Sequence, residues 1–395
     1  MKFNIGIIFL IGIMSIYDFA ASAKQEVKNT IEFVGKAKNI SLLSEKISAL
    51  KKKKSKLHIL EIGDSHVQSD LKGSEVRRVL QTKYGNAGLG WFYPYSVMKT
   101  NNPVSFKSSS TDDWEVKRAV FEQINGSWGV CPIAVESQSP NAKLHFGMSD
   151  KSFLHESKRL AVFYGGMFSE SFSPLVMPKN EKKLLAKKYN PSAVWFESEK
   201  VFGDFELHFE AQLPSQKSFI CNGLYSENGK NGVIYSSAGA NGADIPAYLR
   251  GEKLEDNLRE MSPDIVVVSL GTNDCRRPNF SDAVLRANLE KLTNRIRTAL
   301  PDAVIMITTP PLCRSNDVPE WDKKLETAVR CMRDFAEKNG FLLWDFYRVM
   351  ASQKKLEQWL AEDFISKDYL HLSPKGYRKQ GDWFALAWTA FLENF

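Results

Sequence analysis

Three side chains far apart in the chain are the best suited to chemistry: Ser65 near the start, and Asp368 and His371, three residues apart, near the end. Ser65 follows an apolar run, residues 57–62, in which Leu57, Ile59, Leu60 and Ile62 have the pattern of a short buried strand. Gly63 permits a sharp exit from that strand and sets Asp64, Ser65 and His66 at its carboxyl edge. A serine hydroxyl is a weak nucleophile until a base takes its proton, so it needs an imidazole within hydrogen-bond reach. The imidazole in turn needs an acceptor to fix its tautomer, and Asp368 can supply it to His371 from the same turn. Attack on an acyl carbon puts negative charge on oxygen, which calls for fixed donors. The N–H groups of Ser65 and Gly242 and the side-chain amide of Asn273 fit that need. Gly239 competes with Gly242 for the second donor. Asp64 reads as a brace of the loop. His66, adjacent to the nucleophile, ranks below His371 as base because neighbouring side chains diverge.

These residues need a scaffold that brings strand ends together. Residues 71–84 place Leu71, Val76, Val79 and Leu80 at helical spacing, so strand, glycine turn, polar residue and helix follow in order. An open α/β sheet presents reactive groups at its carboxyl edge in this way. Strands at 233–235, 265–270, 304–308 and 341–344 and helices at 281–300 and 320–339 continue the alternation. The fold class is therefore α/β, a mostly parallel sheet with flanking helices. A polar lead-in, residues 24–56, carries one or two helices, among them 42–50 with its solvated Lys51–Lys54 end. Between Pro94 and about Tyr225 the character changes to short segments, 134–137, 143–146, 159–164, 193–196 and 206–213, separated by Ser, Asn, Gly and Pro. This predicts an inserted all-β sandwich, residues 95–228, dividing the catalytic domain into 24–94 and 229–395. The glycine-rich stretch 85–90 lacks the Gly-Lys-Ser/Thr ending of a phosphate loop and reads as a hinge.

Composition narrows the partners. The 395 residues are 43% apolar and 25% charged with a net charge of +7, which is globular and only mildly basic. No nucleic-acid-binding motif accompanies that charge. Lys2, the apolar stretch 5–16 and Ala21-Ser22-Ala23 read as a cleavable signal peptide, residues 1–23. The apolar stretch is short for a membrane span. The mature protein is expected to be exported and soluble, and periplasmic if the source is a double-membraned bacterium. Five cysteines form no Cys-x-x-Cys pair and no Cys/His cluster, so no metal site is expected. Export permits disulfides, with Cys131–Cys221 and Cys313–Cys331 as candidate pairs.

Taken together, Gly63-Asp64-Ser65, Ala240-Asn241-Gly242, Gly271-Thr272-Asn273 and Asp368-Tyr369-Leu370-His371 resemble the four blocks of the SGNH, or GDSL-type, hydrolase superfamily. The resemblance spans residues 57–90 and 230–395. It implies that these blocks carry the nucleophile, two oxyanion donors and the Asp/His pair, with no cofactor. The second block departs from the commoner Asn-x-Gly-x-x-Gly start. Residues 63–70, the 85–91 stretch and the β insertion look like bacterial peptidoglycan O-acetylesterases, in which a carbohydrate-binding-module-like β domain interrupts the catalytic domain. That likeness implies an O-acetylated glycan substrate and removal of the 6-O-acetyl group of N-acetylmuramic acid. Other readings are an esterase or acetyltransferase for another acetylated polysaccharide or acyl ester, and an inactive cell-wall glycan-binding protein.

Overall fold

The computed structural model of the chain describes residues 27–34, 39–100, 103–122, 124–148 and 156–395. The signal segment expected at residues 1–23 lies outside them. No helix among the described residues is long and apolar enough to cross a membrane.

A six-stranded sheet organises the site. Its order is Glu32–Phe33, Leu342–Trp344, Val304–Thr308, Ile265–Ser269, Lys56–Gly63 and Gly232–Gly239. All neighbours run parallel except Glu32–Phe33, which pairs antiparallel with Leu342–Trp344. That edge strand stands in the lead-in, where only helices were expected besides Ile40–Lys51. The parallel strands are apolar on both faces, and alternate residues serve different cores. Leu57, Ile59, Val233, Val267 and Met306 pack with Ile47, Val76, Leu80, Phe384 and Trp388 from helices Ile40–Lys51, Leu71–Tyr84 and Pro374–Glu393. Leu60, Ile62, Ile234, Val268 and Ile307 pack on the opposite side with Leu289, Ile296, Leu325 and Met332 from Asp282–Ala299 and Trp321–Asn339.

Residues 90–227 are almost entirely antiparallel. Among the described residues they form a seven-stranded sheet, from Ala186–Tyr189 at one edge to Glu115–Arg118 at the other, and a four-stranded sheet. The four-stranded order is Phe106–Thr111, Lys143–Met148, Phe205–Glu210, Ser173–Pro178. Antiparallel pairing begins at Gly90–Phe92, upstream of Pro94, because that strand joins Phe219–Glu227. The inward residues of both sheets, such as Val162, Leu224, Leu144 and Phe205, belong to the same hydrophobic cluster as Ile62 and Val268 of the parallel sheet. The antiparallel region and the α/β region therefore share one continuous core.

The cysteines depart from expectation. Cys131, Cys221, Cys275, Cys313 and Cys331 are all free and buried, so neither candidate disulfide is present. All five lie within the hydrophobic core, as buried free cysteines usually do, and the thiols of Cys131, Cys275 and Cys331 donate weakly to the carbonyls of Gly239, Lys324 and Asp282.

Candidate active site

Adjacent parallel strands bring the first three blocks to one edge. Gly63 is in register with Gly239 on one side and with Ser269 on the other. Ser65, Ala240–Gly242 and Asn273 thus leave the sheet side by side. Gly63 is required by close approach: a Cβ there would stand 2.3 Å from Val67 Cγ2 and 2.8 Å from the Ser269 carbonyl. The Tyr248 hydroxyl, fully buried, accepts from the Gly63 N–H at 2.9 Å and lies 2.6 Å from the Gly63 carbonyl. Past Gly63 the chain turns into the short helix Ser65–Gln68, capped by Asp64 Oδ1, which accepts the His66 N–H at 2.9 Å.

The fourth block arrives from the loop before the C-terminal helix Pro374–Glu393. Ser65 Oγ lies 2.9 Å from His371 Nε2, across 306 residues of sequence. His371 Nδ1 lies 2.6 Å from Asp368 Oδ2, while Asp368 Oδ1 accepts the N–H groups of Leu370 and His371, both at 3.0 Å. Tyr369 makes this possible by taking φ 61°, a left-handed conformation uncommon for a bulky residue, which folds the Asp368 side chain back over the following turn. Partial burial pushes the Asp368 carboxyl up, but the hydrogen bonds from the His371 ring and backbone outweigh it and hold the group below its ordinary range. With the carboxylate ionised, Nδ1 carries the imidazole proton and Nε2 is left to accept from Ser65. A hydroxyl, an imidazole and a carboxylate in this order can pass a proton from oxygen to nitrogen as the oxygen attacks.

Asn273 is half-buried, and its Nδ2 donates to the Ala243 carbonyl at 3.0 Å. Its second hydrogen meets only a long contact, 3.4 Å, to Asp64 Oδ2. Gly242 is exposed at φ 77°, in a turn closed by the Ala243 N–H on the Ala240 carbonyl at 3.0 Å. Gly239 is placed differently. It is buried at its strand end, and a Cβ on it would stand 2.4 Å from the Gln68 nitrogen and 2.7 Å from the Asp64 carbonyl. Its own carbonyl takes the Tyr95 hydroxyl at 2.6 Å. Gly239 thus lets two backbones touch, while Gly242 is the glycine at the open edge.

The surroundings are low in dielectric. Burial pushes the Asp64 carboxyl up to about 6, against the His66 N–H bond and the charges of Lys72 and His371. His66 is buried and does not meet Ser65 Oγ as His371 does; its Nδ1 is 2.9 Å from the Tyr377 hydroxyl. Burial, then the charges of His371 and Lys72, hold that imidazole well below its ordinary range, so it stays neutral. Two fully buried groups nearby, Glu61 and Lys72, are ion-paired, and Glu61 also accepts from the Tyr235 hydroxyl at 2.8 Å. Among the described residues no group of three or more His, Cys, Asp or Glu side chains is arranged to hold a metal ion. Sequence reasoning missed Gln68, Tyr248 and Tyr377. Gln68 is a buried polar residue three positions beyond Ser65 on its helix, and no local sequence pattern marks any of the three.

The GDSL-like lipase/acylhydrolase family model matches residues 213–379. No curated protein sequence matches the chain. Among solved structures, a peptidoglycan O-acetylesterase superposes with a TM-score of 0.75 at 20% identity, over 92% of this chain and 99% of its own. A lipase/acylhydrolase from Enterococcus faecalis aligns at 23% identity over 41% of this chain and 78% of its own, with a TM-score of 0.33. A GDSL-like lipase from Bacteroides thetaiotaomicron aligns at 16% identity over 41% of this chain and 76% of its own, with a TM-score of 0.32. The first of these establishes a shared fold. The matched stretch, residues 213–379, contains the second, third and fourth blocks and is similar to GDSL-like lipases/acylhydrolases.

Proposed function

We propose that the protein is an exported serine esterase that removes O-acetyl groups from peptidoglycan through an acetyl-enzyme intermediate. The observation that carries the reading is the continuous Ser65–His371–Asp368 relay beside the amide of Asn273. Ser65 Oγ attacks the acetyl carbonyl carbon as its proton moves to His371 Nε2. The carbonyl oxygen becomes an oxyanion, met by the N–H groups of Ser65 and Gly242 and by the second hydrogen of Asn273 Nδ2. Collapse breaks the bond to the sugar oxygen, which leaves as the alcohol with the proton from His371. Water then attacks the acetyl-Ser65 carbonyl, His371 takes its proton, and acetate departs as Ser65 regains its hydrogen. Asp368 orients His371 and stabilises its cation throughout.

The substrate assignment rests on the likeness of fold to a peptidoglycan O-acetylesterase over 92% of this chain, antiparallel region included. A polar β region attached to the catalytic sheet suits a glycan better than a long acyl chain, which would need an apolar channel. Acetate release from O-acetylated peptidoglycan, measured beside acetylxylan, tests it. Wild type is expected to release acetate faster from the first, and Ser65→Ala to lose about 10³-fold or more on both. Faster release from acetylxylan would sink the substrate assignment, and turnover surviving Ser65→Ala would sink the nucleophile.

A further inference from the structure

The four blocks come from separate strand ends, and a reacting geometry tolerates errors of only about 0.5 Å. Three of them follow the sheet, but the oxyanion turn Ala240–Gly242 runs beyond the end of its strand, and both Asn241 and Gly242 are exposed. The Asp368–His371 block belongs to the loop before the C-terminal helix and comes off no parallel strand. Something other than the sheet ladder must hold these two against Ser65.

The helix Ser65–Gln68 carries the means. Gln68 is 4% exposed, and both ends of its amide are used. Its Oε1 accepts the Asn241 N–H at 2.7 Å, and its Nε2 donates to Thr100 Oγ1 at 3.0 Å. Asn241 Nδ2 reaches the same Thr100 oxygen at 3.5 Å. The Ala240–Asn241 peptide, one unit before the peptide that carries the Gly242 N–H, is thereby pinned to the helix that bears the nucleophile, and both are tied to a residue of the antiparallel region. His66, also 4% exposed, does the equivalent for the other block. Its backbone N–H is held by Asp64, its Nδ1 by the hydroxyl of Tyr377 on the C-terminal helix, and its ring lies 5.5 Å from that of His371. His66 Nε2 is buried with no hydrogen-bond partner among the described residues, so the ring is engaged by one polar contact only.

We propose that Gln68 and His66 are positioning residues: from the nucleophile's own helical turn, Gln68 sets the oxyanion turn and His66, through Tyr377, sets the block that carries the base. The inference rests on the serine-esterase reading above. Neither residue touches the reacting atoms, so their loss changes geometry and leaves substrate contacts in place.

The test is steady-state turnover of a small aryl acetate, with thermal melting as a check of folding. Gln68→Leu is expected to lower kcat about tenfold to a hundredfold with KM within about twofold, as a small misplacement of an oxyanion donor does. Gln68→Glu retains the acceptor for the Asn241 N–H and is expected to recover most of that loss. Tyr377→Phe and His66→Phe are each expected to lower kcat about tenfold, and the double variant to be no worse than either single one. Wild-type kcat in Gln68→Leu, or no recovery in Gln68→Glu, overturns the role of Gln68. Additive losses in the His66/Tyr377 cycle overturn the second tether. Ser65→Ala run in parallel separates the two levels: if it still turns over, the reading of Ser65 as the nucleophile has failed, whereas an inactive Ser65→Ala beside an unaffected Gln68→Leu refutes the tether alone.

Discussion

A carboxylate three residues before a histidine reaches that ring only when the backbone between them doubles back, and Tyr369 at φ 61° supplies the reversal. Asp368 then contributes one oxygen to the imidazole and the other to two backbone N–H groups, so its orientation is fixed before substrate arrives. Asp368→Asn keeps the size of the side chain but makes the wrong His371 tautomer the favoured one. Its kcat on an aryl acetate is expected to fall about 10²-fold or more with KM little changed. Asn273→Ala, which removes a donor, is expected to cost about 10²–10³-fold in kcat in the same assay. At this scale the sequence was informative wherever spacing alone defines a relation, as with Asp368 and His371. Gln68 and Tyr377 stayed hidden because their partners, Asn241 and His66, lie 173 and 311 residues away and no local pattern announces them.

The parallel strands were legible because a strand buried on both faces reads as an unbroken aliphatic run. Gly232–Gly239 is longer than the three-residue strand its aliphatic run predicts, because Ser236, Ser237 and Gly239 interrupt that run. Ser236 is buried nonetheless: its hydroxyl accepts the Trp91 N–H at 2.9 Å and lies 2.8 Å from the His58 ring. The C-terminal helix Pro374–Glu393 was not anticipated, although Ser373 caps it through the Gly376 N–H and Pro374 opens it. Phe106–Thr111 and Ala186–Tyr189 escaped for the opposite reason, being edge strands with polar, exposed residues. Two elements approach closely where Gly239 meets the turn that carries Ser65. Gly239→Ala would set a Cβ against backbone at 2.4 Å and push Ser65–Gln68 away from its strand. It is expected to lower unfolding free energy by about 1–3 kcal/mol in urea titration and to reduce kcat disproportionately.

On the scale of the whole molecule, a change in composition near Pro94 suggested a boundary, but composition carries no information on whether two regions share a core. Inward-facing Val, Leu and Phe look the same whether they seal a separate sandwich or pack onto a neighbouring sheet, and here they join one cluster. Burial first, and then the charges of Asp244 and Asp64, push the Asp274 carboxyl from 3.8 up to about 8. The folded state therefore favours the protonated acid: this contribution to stability is complete below pH 3.8 and is lost as the pH rises through about 8. Asp274→Asn cannot ionise, so its melting temperature is expected to exceed that of wild type at pH 9 by about 2 °C or more, with the gap closing towards pH 4. The five free cysteines take on a use in the same frame, for all of them sit in the shared cluster, two in the antiparallel region and three in the α/β region. Sealed thiols record every opening event that admits a small alkylating reagent. Iodoacetamide adducts counted by mass spectrometry over time would accumulate on all five together if the molecule opens as one cooperative unit. Modification of Cys131 and Cys221 ahead of the rest would mark the β region as a separate foldon, a distinction the shared core predicts will not be seen.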